Sequence, residues 1–285
     1  MMYIIVMNNF VKYLTCFVLT FVILFCQKNY VSSKGNLPEA ITWNSYLKEI
    51  TFGDDVISDG SSFLELETPY RALDASIVPI TVNVRKKQNP DEFVKTLTLI
   101  VDENPSPLVS KFHFTPKTGD ASLTTRIRID KYTYVRAIAE MSNGNKFMVS
   151  SFVKAAGGCS APSLADMDAV MARLGKMKMK FMKTGSKGSL NKAEFLISHP
   201  NYSGLQFNQL TRAEIPAHFV NYLRIEQDGQ LILEANPDIS ISEDPSFMFH
   251  YLDSGGPLNV EIEDSHGQKF TKEFPLSEVL SSNNP

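Results

Sequence analysis

The chain has 285 residues, 43% hydrophobic and 21% charged, with 28 basic against 31 acidic residues and a formal net charge of −3. This composition suits a globular protein of one or two domains. No run of Lys and Arg concentrates positive charge, which argues against a nucleic-acid partner.

The first 33 residues contain Lys12 and Lys28, no acid, and an apolar run from Leu14 to Phe25. A run of about 12 residues is short for a hydrocarbon core of roughly 30 Å. A basic start, a short apolar core and the small residues of Val31-Ser32-Ser33 describe a secretory signal cleaved after Ser33, so a periplasmic protein free of the membrane is expected. A lipidated Cys26 and an uncleaved anchor are the alternatives. Cleavage removes two of the 28 basic residues and none of the 31 acidic ones, leaving a formal charge of −5. It also removes Cys16 and Cys26. Cys159 then stands alone and no internal disulfide is available.

Residues 38–53 predict a short amphipathic helix, with Trp43, Leu47 and Ile50 on one face and Gly53 ending it. From about 63 to 153 the pattern alternates as in strands: Val78, Ile80, Val82 and Val84; Leu97, Leu99 and Val101; Phe112 and Phe114; Leu123, Thr125, Ile127 and Ile129. Asn89-Pro90-Asp91, Asn104-Pro105-Ser106-Pro107, Lys117-Thr118-Gly119-Asp120 and Ser142-Asn143-Gly144-Asn145 read as turns between them. A second helix follows, capped by Ser163 and Asp166, with Leu164, Met167, Met171 and Leu174 inward and Gly175 closing it. A second strand series runs through Met177–Phe181, Phe195–Ile197, Phe219–Glu226, Gln230–Ala235, Phe247–Tyr251, Leu258–Glu263 and Phe270–Phe274. Asp228-Gly229 and Ser265-His266-Gly267 are its hairpin turns. The expected fold is all-β: two immunoglobulin-like antiparallel sandwiches joined by a Gly-Gly-Cys linker and a short helix. The expected divisions are a signal at 1–33, a first sandwich at 34–156, the linker and helix at 157–176, and a second sandwich at 177–285.

Cys159 lies at that junction, in Gly157-Gly158-Cys159-Ser160-Ala161-Pro162. A thiol that shuttles a covalent group must reach several partner sites, and Gly157, Gly158 and Ser160 offer a slim, free backbone for such an arm. A following helix N-terminus and Lys154 are expected to favour the thiolate. The bland alternative is a buried, inert cysteine in a linker turn. His113, His199, His218, His250 and His266 are dispersed, without HxxxH or CxxC spacing, so no metal is expected. His199 and His218 can nonetheless cluster in the fold, as structural or interface hydrogen-bonding groups. Met167, Met171, Met177, Met179 and Met182 invite a copper reading, but two fall on a helix face and two alternate along a strand, the pattern of core packing. No nucleophile elbow, P-loop or dinucleotide fingerprint is present. The chain is therefore read as a carrier, not an enzyme, with no cofactor.

The first half resembles SoxY proteins through Val78-Pro79-Ile80-Thr81-Val82, Val101-Asp102-Glu103-Asn104-Pro105-Ser106-Pro107, Thr125-Arg126-Ile127-Arg128 and Val153 to Cys159. The second half resembles SoxZ through His199-Pro200, Ile215-Pro216-Ala217-His218-Phe219, Pro237-Asp238-Ile239-Ser240 and Asp244-Pro245-Ser246-Phe247. The order of these motifs is that of a fused SoxYZ-like carrier, of the kind associated with quinoprotein dehydrogenases. The resemblance implies β-sandwiches and sulfur intermediates carried on the cysteine of a Gly-Gly-Cys-Gly arm, a role that falls on Cys159. It implies periplasmic redox or sulfur-transfer partners, a quinoprotein dehydrogenase among them. Here Ser160-Ala161-Pro162 replaces the glycine after the cysteine, and the arm is tethered at both ends. The competing reading is a non-covalent accessory module for such a dehydrogenase, with the cysteine incidental. Covalent fusion of the halves favours a monomer.

Overall fold

The computed structural model describes residues 37–162, 167–209 and 211–276. The signal reading of residues 1–33 and the capping pair Ser163 and Asp166, with Leu164, lie outside them. Among the described residues no helix is long and apolar enough to cross a membrane.

The first predicted helix forms, as a π-helical turn at Trp43–Leu47 followed by α1, Lys48–Phe52, and Gly53 ends it at φ 56°. Trp43 and Leu47 are buried, but Ile50 is 71% exposed. A π turn advances less per residue than an α turn, so Ile50 rotates off the face that Trp43 and Leu47 share. Trp43 instead lies under the guanidinium of Arg136, 4.4 Å from the ring centre, which is itself paired through two hydrogen bonds with buried Asp102.

Seventeen strands follow among the described residues. β1 to β8 are Ile57–Asp59, Leu64–Glu67, Val78–Val84, Val94–Val101, Leu108–Phe114, Leu123–Ile127, Thr133–Met141 and Lys146–Val153. β9 to β17 are Met177–Lys183, Leu190–Ile197, Gln206–Phe207, Glu214–Ile215, Val220–Gln227, Gln230–Pro237, Ser246–Leu252, Leu258–Asp264 and Lys269–Phe274. The alternation is what the sequence dictates: Val78, Ile80, Val82 and Val84 point inward along β3, and Phe247, Phe249 and Tyr251 along β15. Asp228 and Gly229 turn β13 into β14 with φ of 50° and 71°, the paired positive φ values of a type I′ hairpin.

One sheet has the order β1-β8-β7-β4-β5-β14-β13-β16-β17, and the facing sheet β2-β3-β6-β15-β10-β9. The pairings are antiparallel except β1 on β8, a departure from the wholly antiparallel expectation. Both sheets run through from the first half to the second. β5 pairs with β14 from Phe114↔Leu233 to Ser110↔Pro237, and β6 meets β15 at Thr124↔Met248. An isolated half would present β5 and β6 as open edges; fusing the halves edge to edge covers them. One continuous apolar core spans both, and Phe112 packs edge-on to Phe247 across the join at 6.0 Å.

The second helix, α2, is Met167–Met171. Val170 is its buried residue and Met171 is 44% exposed, so the expected inward face is shifted by one position. Gly175 stops it at φ 76°, with a phenyl ring of Phe270 where a Cβ would stand. Met177 and Met179 pack in the core from β9, whereas Met182 is exposed.

Candidate functional site

The chain leaving β6 builds the floor of the site. Arg128 N–H donates to Ser240 O at 2.7 Å, and Ser242 N–H to Arg126 O at 3.1 Å, so residues 126–128 are bound to the segment between β14 and β15. Asn104, in the Asn-Pro turn after β4, locks the same corner. Its Nδ2 donates to Arg128 O and Ser240 Oγ, and its Oδ1 accepts from Asp130 N–H.

The cysteine segment lies down on this corner. Gly157 N–H donates to Asp130 O at 2.8 Å and Gly158 N–H to Ile129 O at 2.9 Å. From the second half, Ser203 Oγ donates to Cys159 O at 2.5 Å and Gln206 Nε2 to Ala161 O at 2.8 Å. Cys159 is thus clasped between residues 129–130 and residues 203–206. Ala75 closes the third side: a Cβ at position 158 would stand 2.0 Å from Ala75 O, closer than any side chain permits. Gly157 adopts φ 79°, where a side chain is strained.

Cys159 is fully buried, with no exposed area. Burial pushes its thiol up to about 12, the Asp130 carboxylate adds to the shift, and Arg128 opposes it. The sequence reading pictures Gly157, Gly158 and Ser160 as a mobile arm bearing an exposed, activated thiol. The structure has instead a docked arm and a suppressed thiol. The two glycines are used here for a left-handed turn and a close backbone contact, while Ser160 Oγ folds back onto Gly157 O at 3.4 Å. The residues that dock the arm (Ala75, Ile129, Asp130, Ser203 and Gln206) and the neighbouring Arg128 carry no motif that points at position 159.

A second cluster lies beyond the clasp. Tyr202, next to Ser203, pairs through its backbone with His218, which places His199, His218 and Asp264 together. His218 Nε2 is 2.8 Å and His199 Nε2 3.5 Å from Asp264 Oδ2, and His266 stacks flat on His218 at 3.9 Å. Burial, then the proximity of His218, pull His199 down to about 4. Burial opposes ionisation of Asp264, but the hydrogen bonds from His218 and from the Gln268 and His266 amides outweigh it and hold the carboxyl below its usual range. The three ligand-type atoms lie within 4.8 Å of one another, a spacing that a metal ion can bridge. The hydrogen bonds point elsewhere. Asn201 N–H donates to His199 Nδ1 at 3.0 Å, so the proton of neutral His199 sits on Nε2, facing Asp264. An ion at Nε2 would need the other tautomer, whose Nδ1–H would oppose the Asn201 amide. In this arrangement the cluster is a hydrogen-bonded His–Asp network. His199 and His218 therefore do meet, and Asp264, remote in sequence, is the partner that the sequence reading missed.

The sulfur oxidation protein SoxY family matches residues 48–159, ending on Cys159, and the sulphur oxidation protein SoxZ family matches residues 179–275. The chain belongs to the SoxYZ carriers, with a SoxY and a SoxZ domain fused in tandem. Among solved structures it is similar to the sulfur carrier protein SoxY from Chlorobium limicola f thiosulfatophilum, at 20% identity and a TM-score of 0.32, over 38% of this chain and 86% of that one. A superoxide reductase (neelaredoxin) from Ignicoccus hospitalis matches at 14% identity and a TM-score of 0.29, over 32% of this chain and 79% of that one. At these scores neither likeness bears on function. No curated protein gives a significant match.

Proposed function

We propose that this protein is a periplasmic carrier that holds sulfur intermediates covalently on Cys159 and presents them to redox or sulfur-transfer enzymes. The observation that carries the reading is the position of the thiol. It ends the SoxY match, and its segment is held at the seam by hydrogen bonds to main-chain carbonyls of the first half and from side chains of the second. Such bonds contribute about 1 kcal/mol each and exchange readily for water, so the segment can lift off its floor without unfolding the sheets. The docked arm is the protected state; the lifted arm is the loading and delivery state. Gly157 and Gly158 then serve both states, fitting tightly when docked and turning freely when released.

Joining thiosulfate to the Cys159 thiolate as Cys–S–S–SO3⁻ releases two electrons, so loading needs an oxidising partner or an added oxidant. Incubation with thiosulfate and ferricyanide, followed by intact mass, tests the reading. A mass gain that is lost in Cys159→Ser supports it; no gain, or equal labelling of that variant, overturns it.

A second reading is favoured by the buried, suppressed thiol itself. In it the chain is a non-covalent accessory module for a periplasmic quinoprotein dehydrogenase, and Cys159 is a packing residue. Partner binding and dehydrogenase activity that survive Cys159→Ser unchanged distinguish it from the carrier.

A further inference from the structure

The fold buries two guanidinium groups and treats them differently. Arg136 is paired with the Asp102 carboxylate through 2.8 and 2.6 Å hydrogen bonds. Arg128, only 2% exposed, has no carboxylate within salt-bridge distance among the described residues. Its Nη1 donates to the carbonyls of Ile239 at 3.2 Å and Ile241 at 2.5 Å, and its buried Nε has no acceptor. The groups that can act on its charge are Cys159, when it is ionised, and Glu243. Glu243 is already engaged by Arg173, which also holds Asp244. A buried cation satisfied only by carbonyl dipoles is destabilising unless a counter-charge arrives. The docked thiol, neutral as it stands, supplies none.

The arm brings that missing charge when loaded. Main-chain bonds from Gly157 and Gly158 reach Asp130 and Ile129, the residues that follow Arg128, so the arm docks on the segment that carries this cation, within electrostatic reach of it. Adducts ending in a sulfonate or a persulfide carry a negative charge that a free thiol lacks. We infer that Arg128 is the anion partner of the loaded arm: it pairs with an anionic sulfur group on Cys159, so that the charged carrier docks more firmly than the empty one. This rests on the carrier reading and adds the residue that receives the anionic cargo. Delivery then has a built-in order. An enzyme that removes the anion also removes what holds the arm down, and the emptied arm lifts more readily for reloading.

The test places the adduct chemically, on a chain carrying Cys16→Ser and Cys26→Ser. Prolonged incubation with Ellman's reagent exchanges its disulfide with Cys159, releasing one aryl thiolate and leaving a mixed disulfide. Sulfite then displaces the second aryl thiolate and leaves Cys–S–SO3⁻. A neutral control, Cys–S–S–CH3, is made with methyl methanethiosulfonate, which loses methanesulfinate. Hydrogen-exchange rates of the Gly157 and Gly158 amides report docking. The expected result is at least a tenfold slowing with the sulfonate relative to the methyl disulfide, and loss of that difference in Arg128→Gln. Equal rates for the two adducts, faster exchange with the sulfonate, or a gain that persists in Arg128→Gln would overturn the inference. The comparison of the two adducts needs no substitution at Arg128, so it stands even where Arg128→Gln does not fold. The carrier reading is judged separately by loading with thiosulfate and oxidant: failure there with the sulfonate effect intact removes the carrier role and leaves the anion pairing.

Discussion

A thiolate needs water or a nearby cation, and docked Cys159 has lost the first while Arg128 only partly supplies the second. With the thiol pushed up to about 12, against about 9 for an open one, the docked arm holds roughly a thousandfold less thiolate near neutral pH. Iodoacetamide at pH 7.5 is therefore expected to alkylate Cys159 about a thousandfold more slowly than an exposed thiol; a rate within tenfold of a model peptide contradicts docking. The sign of the pH effect follows from the raised value. The docked state binds the thiol proton more tightly than the open state, so docking is fully favoured below about pH 9 and weakens as pH climbs toward 12. His199 works in the opposite sense. Its value is depressed to about 4, so the fold is favoured above its ordinary 6.5 and loses stability as pH falls from there toward 4. A melting temperature that declines across that window, and declines less in His199→Gln, is the expected result; identical pH profiles for the two chains contradict it.

The elements show why some of this was legible in the sequence and some was not. β3, β6, β13 and β15 announce themselves because one face is core and side chains alternate with period two. The helices are less faithful. The helical period misplaces Ile50 because a π turn precedes it, and Met171 because the stripe on α2 falls one residue earlier. The docking of the arm is invisible locally, since its contacts come from Ala75, Ile129 and Ser203, each fixed by a different stretch of chain. Arg128 stands inside a recognisable motif, yet nothing in that motif says that its charge lacks a carboxylate. Two substitutions probe the element. Gly158→Ala brings a methyl into the Ala75 carbonyl, and is expected to hold the arm open, raising the Cys159 alkylation rate at least a hundredfold while leaving the melting temperature nearly unchanged. Unchanged reactivity would mean that Gly158 does not set the docked state. Ser203→Ala removes one clasp, worth about 1 kcal/mol, and is expected to raise the rate roughly fivefold. No change in rate shows that this bond does not hold the arm.

At the scale of the molecule, each half brings strands to both sheets, five and three from the first half and four and three from the second, and the join makes both sheets and one core common to the two. Calorimetry is expected to show a single unfolding transition with matching calorimetric and van't Hoff enthalpies, whereas two separated transitions would count against this sharing. With β5 and β6 already covered within the chain, light scattering is expected to report a monomer at micromolar concentration. On the function proposed above, this fused body holds cargo on one thiol at its seam. Intact mass of the protein isolated from its native cells without reductant, before and after adding one, is the measurement to make. The expected result is a reducible increment localised to Cys159, with a mass that matches an anionic sulfur group. A thiol that is unmodified in the native protein and stays so with thiosulfate, persulfide donors and oxidant contradicts it.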